Sequence, residues 1–557
     1  MNRERYLQEI DAVNAAGKYH PTWESLSTHP VPDWYREKRL GIFLHWGVFS
    51  VPAYHDWYAR NMYIKGSPEY EYHCQHYGQP KDFGFKDFIP QFKMEAFDPQ
   101  AWVKLFREAG ADYIVPVAEH HDGFQNYRSE LSHWNAAEMG PHRDIMGDLL
   151  VEAERAGMTL GASSHRVEHW WFLGHGQEFD SDIKQPMHLG DYAWPAMPER
   201  ENQDLFSEPM PTDEFLTDWL LRCCEIVDRY HPRILYFDWW IQHSAVKPYL
   251  QRFAAYYFNV MESRGGCVIN YKHDAFPFGI GVPDIERGQF AEAKPFLWQS
   301  DTSVMRGSWC YSVQPDKAVY KAPQEIVQDL LDVVSKNGRL LLNFGPKPDG
   351  TLADKDVEIL HKLADWMRVN DECIHGTGLW RINQEGPTKI QEGQFADGAS
   401  RNFTSEDFRF TCRGGNIYAA CMACPADGKL HIRSLPLAAL ARHCAEGGGA
   451  GQSRAGRVDA RRRSPACGFG DLPQRHAGCG ENHHGLKSAV SAPCAHEKSH
   501  QYYHKGEHQH AFYARLLGHP AGLCDVLRHA DRSRHQERQG AAHHQRLPPD
   551  SPPRRYS

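Results

Sequence analysis

The chain has 557 residues, room for two or three domains, and its 12% aromatic content with 16 Trp suits a large core or a carbohydrate-facing surface. A net charge of −9 gives no global signal for nucleic acid or an anionic membrane, so neither is expected as a partner. The first residues, MNRERYLQEIDAVNAAGKYH, lack the apolar core of a signal peptide, and no apolar run approaches the roughly 18 residues of a membrane span. The 14 Cys are scattered, so a reducing, cytoplasmic setting without a disulfide framework is expected. Cys421-Met-Ala-Cys424 has a CxxC spacing, but no second pair follows at zinc-ribbon distance.

From about residue 38 to 345, strand-like runs alternate with amphipathic helical ones. Gly41–His45 is a strand candidate. Asp98-Pro99 opens a helix, with Asp as N-cap and Pro at the first helical position; it places Trp102, Leu105, Phe106 and Ala109 on one face and stops at Gly110. The strand Asp112–Ala118 follows. The unit recurs as a helix through Leu149, Leu150 and Ala153, a Gly157 stop and the strand Met158–Ala162. It recurs again as a helix from Phe215 to Tyr230 before the strand Ile234–Phe237. A last copy runs from Ile326 to Val334, with Gly338 as C-cap, into Arg339–Asn343. Cys267–Tyr271 and Pro295–Gln299 supply two further short strands. Repeated strand–helix units over this length, without a Gly-rich phosphate turn after the first strand, predict a (β/α) TIM-like barrel over 1–370 rather than an open sheet. Phe408–Thr411 and Asn416–Ala420 read as strands of a partial C-terminal β-domain over 371–440.

Residues 441–557 differ in kind. They hold no Ile, Met, Trp or Thr, carry 14 of the 34 His, and have 18 basic against 10 acidic residues, which leaves the preceding part at −17. One reading is a basic metal- or nucleic-acid-binding tail. The other, which the abrupt break favours, is a low-complexity, disordered or frameshifted segment that cannot bury enough apolar surface to fold.

Chemistry-bearing residues gather at the C-terminal ends of the predicted strands, where barrel enzymes keep their sites. In His231-Pro-Arg-Ile-Leu-Tyr-Phe-Asp-Trp-Trp240, a strand apolar on both faces runs into Asp238 and two indoles. Taken alone, Asp238 also reads as the N-cap of the next helix. The other clusters are His45-Trp46-Gly47 with Asp56-Trp57, then Glu119-His120-His121-Asp122, and Asn270-Tyr271-Lys272 with Asp284, Glu286, Glu292 and Trp298. A metal-dependent hydrolase would want an HxH pair on the first strand, which His45 lacks. A glycosidase needs two carboxyl groups facing across one sugar ring, and Asp238 with a Glu from 284–292 meets that need.

Five stretches carry a resemblance: GIFLHWGVFSVPAYHDWYARNMY (41–63), AEHHDGF (118–124), ILYFDWW (234–240), INYKHDAFPFG (269–279) and LLLNFGPKPDG (340–350). In combination and order, over about 30–435, they are similar to the α-L-fucosidases of glycoside hydrolase family 29. The resemblance implies a barrel followed by a C-terminal β-sandwich, here truncated or scrambled. It also implies a retaining exo-fucosidase acting on fucosylated oligosaccharides or glycoconjugates, with neither metal nor organic cofactor. Asp238 matches the nucleophile. His45, His120 and His121 match hydroxyl ligands, Asp56-Trp57 the pair that holds the sugar, and Trp46, Lys272 and Trp298 fall among the matched substrate-binding positions. Glu286 is the preferred acid/base and Glu292 the runner-up. Three departures stand out: Glu119 replaces a Lys, Lys272 an Arg, and Ser163-Ser164-His165 a tyrosine pair, so His165 is expected to take over a sugar contact. The alternative is a non-catalytic fucose-binding protein on the same barrel. Linkage preference and oligomeric state, a homo-oligomer included, stay open.

Overall fold

The computed structural model describes residues 1–199, 210–398, 401–427 and 429–435. The expected disordered or frameshifted tail, 441–557, lies outside the described residues. Eight parallel strands close into a barrel in chain order: β1 (Leu40–Leu44), β2 (Tyr113–Glu119), β3 (Thr159–Ser164), β4 (Ile234–Phe237), β5 (Val268–Lys272), β6 (Val282–Glu286), β7 (Trp298–Ser303) and β8 (Gly338–Phe344). Closure sets Leu40 opposite Leu340 and Leu44 opposite Phe344. Nearly every strand residue is buried, as a parallel sheet covered on both faces requires.

Two apolar layers hold this shape. Phe43, Tyr113, Val115, Tyr236, Val268 and Leu341 fill the barrel interior. A larger layer lies between strands and outer helices. The helix Pro99–Glu108 starts where the Asp98 carboxylate accepts the Ala101 N–H at 3.0 Å, and it buries Trp102, Val103 and Phe106. The helix Ile145–Ala156 ends at Gly157, whose φ of 68° is the left-handed C-cap that glycine adopts without strain.

Three sequence expectations need correction. Strand β6 escaped prediction because Pro283, Asp284 and Glu286 break any apolar pattern. Strand β7 was expected over Pro295–Gln299 but runs over Trp298–Ser303: its inward residues are polar, Gln299 meeting the Tyr113 hydroxyl at 3.1 Å and Asp301 the Tyr236 hydroxyl at 2.9 Å. Gly338 is not a C-cap. Asn337 takes the left-handed position (φ 71°), while a side chain on Gly338 would collide with Val333 and Trp298. The connections β5–β6 and β6–β7 carry no helix.

After the helix Asp354–Asn370 comes a three-stranded antiparallel sheet, β9 (Gly378–Glu385), β10 (Phe408–Arg413) and β11 (Asn416–Cys421), in the order β11-β10-β9. Gly414-Gly415, both with positive φ, make the tight β10–β11 turn. The sheet docks on the helix Pro323–Ser335 through Arg409–Asp332 and a Gln328 side-chain bond to the Met422 carbonyl at 2.7 Å. No helix among the described residues is long and apolar enough to cross a membrane.

Candidate active site

The C-terminal strand ends surround a cavity of about 250 Å³. Lining it are His45, Asp56, Trp57, His120, His121, His165, Asp238 and Glu286, joined by Glu168, Tyr236, Trp239, Asp301, Trp309 and Phe395.

Asp238 follows β4. Its Oδ2 lies 2.8 Å from His165 Nδ1 and 3.5 Å from His121 Nε2. Burial works against its charge, but the hydrogen-bonded His165, with Lys272 beyond it, outweighs that and holds the carboxyl well below the usual range. His165 Nε2 lies 2.9 Å from Ser163 Oγ, so the hydroxyl donates to it and Nδ1–H is left for Asp238. The departure at 163–165 thus places His165 on Asp238 as well as on the cavity wall.

The other imidazoles are buried and neutral. The Asn343 side-chain oxygen accepts from the His45 backbone N–H at 3.1 Å and from Nδ1–H at 2.7 Å, which leaves Nε2 as an acceptor in the cavity. Burial and the nearby His165 push His45 down to about 3. Burial likewise takes His121 to about 4, with its Nδ1–H donating to the His165 carbonyl at 2.9 Å. His120 is pushed well below its ordinary value by burial, and its Nδ1 has no hydrogen-bond partner among the described residues. Asp56 accepts the Trp309 N–H at 3.0 Å. Two donor sets, His45–His120–His165 and His121–His165–Asp238, have atoms within 4.8 Å of one another. A metal there would compete with the Asp238 and Ser163 bonds of His165; the same neutral nitrogens are ready acceptors for sugar hydroxyls.

Across the cavity, Glu286 closes β6. Trp239 Nε1–H donates to its Oε2, and Lys272 Nζ stands 3.4 Å from the same oxygen. Burial pushes Glu286 up to about 7; Lys272 pulls the other way, and Asp301 and Asp238 add to the rise. The fully buried Lys272 also meets Asp284 at 2.7 Å and Asp301 at 3.0 Å. It sits beneath the cavity wall rather than in it.

Three expected site residues stand elsewhere. Trp46 points away from His45, as strand alternation demands; it packs on Phe97 and Trp102 and donates to the Lys347 carbonyl at 2.8 Å. Trp298 opens β7 at the opposite end of the strand from the cavity, packed on Phe290, its Nε1–H on the Lys336 carbonyl at 2.9 Å. Trp309, whose ring lies 5.1 Å from that of His45, supplies the indole on that side. Glu292 is exposed and accepts from Gln384 at 3.2 Å, outside the cavity. Glu119 is no cavity residue either: it pairs with Arg166 at 2.6 Å and Arg222 at 3.1 Å.

The sequence reading missed Glu168, Trp309 and Phe395. Glu168 is buried, lies 3.5 Å from His121 Nδ1, and its Oε2 has no hydrogen-bond partner among the described residues. Burial, with Asp238 and Glu286 close by, raises it well above the ordinary carboxyl range. Its position four residues past β3 was the only available signal.

A parallel barrel that sets an ionised and a protonated carboxyl in one imidazole-lined cavity has the apparatus of a glycoside hydrolase. Comparison with known proteins narrows that class. The alpha-L-fucosidase family model matches residues 6–372, and the chain belongs to that family, glycoside hydrolase family 29. It is 29% identical over 420 residues to the tissue alpha-L-fucosidase of Macaca fascicularis, covering 75% of this chain and 81% of that one. Against the plasma alpha-L-fucosidase of Homo sapiens it is 30% identical over 390 residues, covering 68% and 76%. The crystal structure of Thermotoga maritima alpha-fucosidase in complex with fucose matches at TM-score 0.58 and 29% identity, covering 73% of this chain and 87% of that one.

Proposed function

We propose that the chain is a retaining exo-α-L-fucosidase that removes terminal fucose from oligosaccharides or glycoconjugates. The observation that carries this reading is the pairing of two carboxyls in one cavity, Asp238 hydrogen-bonded to His165 and Glu286 buried against the Trp239 indole, where burial raises it to about 7. Asp238 attacks the anomeric carbon while Glu286 passes its proton to the departing oxygen. Glu286, now a carboxylate, takes a proton from water, and that water displaces Asp238 with net retention. His45, His120 and His121 accept sugar hydroxyls, Asp56 and Trp57 hold the ring, and His165 orients Asp238. Trp46 and Trp298 make no direct contact in this scheme, and Lys272 acts through Glu286. The fucose bound to the Thermotoga relative supports the choice of sugar.

The test is hydrolysis of 4-nitrophenyl α-L-fucoside by wild type and Asp238→Ala, with and without azide. Loss on the order of 10⁴-fold in the variant, recovered with azide, is expected. A variant that keeps wild-type turnover would overturn the assignment.

A further inference from the structure

We propose that Phe395 forms the platform for the leaving group: a ring with an apolar face, whether a second sugar or an aryl group, joined to fucose through the scissile oxygen. This rests on the fucosidase reading above. Under that reading Glu286 must reach the scissile oxygen, so whatever lines the mouth beside Glu286 meets the leaving group.

Two aromatic rings stand there. Trp239 donates its indole N–H to Glu286, and Phe395 lies nearly parallel to it, centroids 6.1 Å apart at 16°. Phe395 comes not from the barrel but from the β9–β10 connection of the C-terminal sheet. It is 60% exposed, the most exposed large apolar side chain among the described residues, yet it lines the cavity.

Its backbone is held at φ 56°, a left-handed conformation that a bulky side chain adopts at a cost. Several bonds fix it there. The Phe395 N–H donates to the Glu286 carbonyl at 2.8 Å, and the Gln394 side chain accepts the Glu286 N–H. The Asp397 N–H reaches the Arg287 carbonyl at 2.7 Å, and the Asp397 carboxylate receives Thr302 Oγ1 at 2.7 Å and Lys321 Nζ at 2.8 Å. These bonds brace the Glu286 backbone, and bracing explains Gln394 and Asp397. It does not explain a phenyl ring presented to water in a strained conformation; an apolar ring face stacking there does.

The experiment compares kcat/KM for α-L-fucosyl fluoride, whose leaving group has no ring, and 4-nitrophenyl α-L-fucoside. Both leaving groups depart readily without protonation, so a selective loss reports packing rather than a misplaced acid. In Phe395→Ala the nitrophenyl-to-fluoride ratio is expected to fall about tenfold, and Phe395→Trp to restore it. An equal loss on both substrates would mean that the substitution disturbs the fucose site rather than a leaving-group platform, and no loss on either would dismiss the platform. A wild type that turns over neither substrate would instead refute the fucosidase reading.

Discussion

Buried titratable groups line both sides of the cavity, yet burial has opposite consequences for them. On the β1–β4 side, four imidazoles gather around the Asp238 carboxylate. Burial strips His45, His120 and His121 of charge and leaves them as acceptors, while His165 pins Asp238 in its ionised form. On the β5–β7 side, a single ammonium, Lys272, faces Asp284, Glu286 and Asp301. One cation does not neutralise three buried acids, so protons stay: burial and Asp301 raise Asp284 well above its ordinary value, and Glu286 rises to about 7. The imidazole-rich side holds its Asp238 carboxyl ionised, and the side with one cation among three acids holds Glu286 raised, the protonation pattern that a nucleophile and an acid require.

Removing the acid should break the contrast most severely. Glu286→Gln is expected to lose roughly 10²–10⁴-fold in kcat/KM on a substrate whose leaving group needs protonation. In the wild type, kcat/KM should fall as pH rises through about 7, because a raised pKa keeps the active protonated form only below it; a pH profile in which this limb survives Glu286→Gln would assign it elsewhere. Lys272→Met leaves Asp284 and Asp301 without their cation. It should lower unfolding free energy by about 3–5 kcal/mol in urea melts. Whatever activity remains should show the alkaline limb moved to higher pH, since Lys272 holds Glu286 down.

The imidazole side should show in stability. His45 and His121, lowered to about 3 and about 4, bind fewer protons folded than unfolded. Their contribution is therefore complete above the unfolded value of about 6.5 and is lost as pH falls towards the folded values. Glu286 and Asp284, raised above their ordinary range, act in the opposite direction over the same interval, so the histidine share is read by difference. Lowering pH from 7 to 5 should cost His121→Asn less melting temperature than it costs the wild type, and an identical change in both would contradict a neutral His121. Glu292→Ala should do least, leaving kcat/KM within about twofold, as an exposed substitution away from the cavity does; a loss comparable to that of Glu286→Gln would return the acid role to the runner-up.

Much of this was legible in the sequence. The strand Ile234–Phe237 announced itself by four apolar residues before Asp238, and the helix at Pro99 by its Asp-Pro start. What escaped was the polar half of the barrel. Strands β6 and β7 carry Asp284, Glu286, Gln299 and Asp301 inward, and apolar patterning does not find strands whose inward residues pair with one another. Trp298 was expected among the substrate-binding positions, whereas strand direction carries it to the far end of β7, and Trp309 lines the cavity instead. Phe395 lies more than 100 residues beyond Glu286, on the β9–β10 loop, where nothing in local sequence links the two.

The central claim is that Asp238, held ionised by His165, becomes covalently bonded to fucose. Reaction with 2-deoxy-2-fluoro-α-L-fucosyl fluoride, followed by proteolysis and mass spectrometry, tests it directly. The account predicts one fluorofucosyl adduct per chain, on the peptide containing Asp238. An adduct on any other carboxylate, or turnover without an adduct and with inversion at the anomeric carbon, would contradict it.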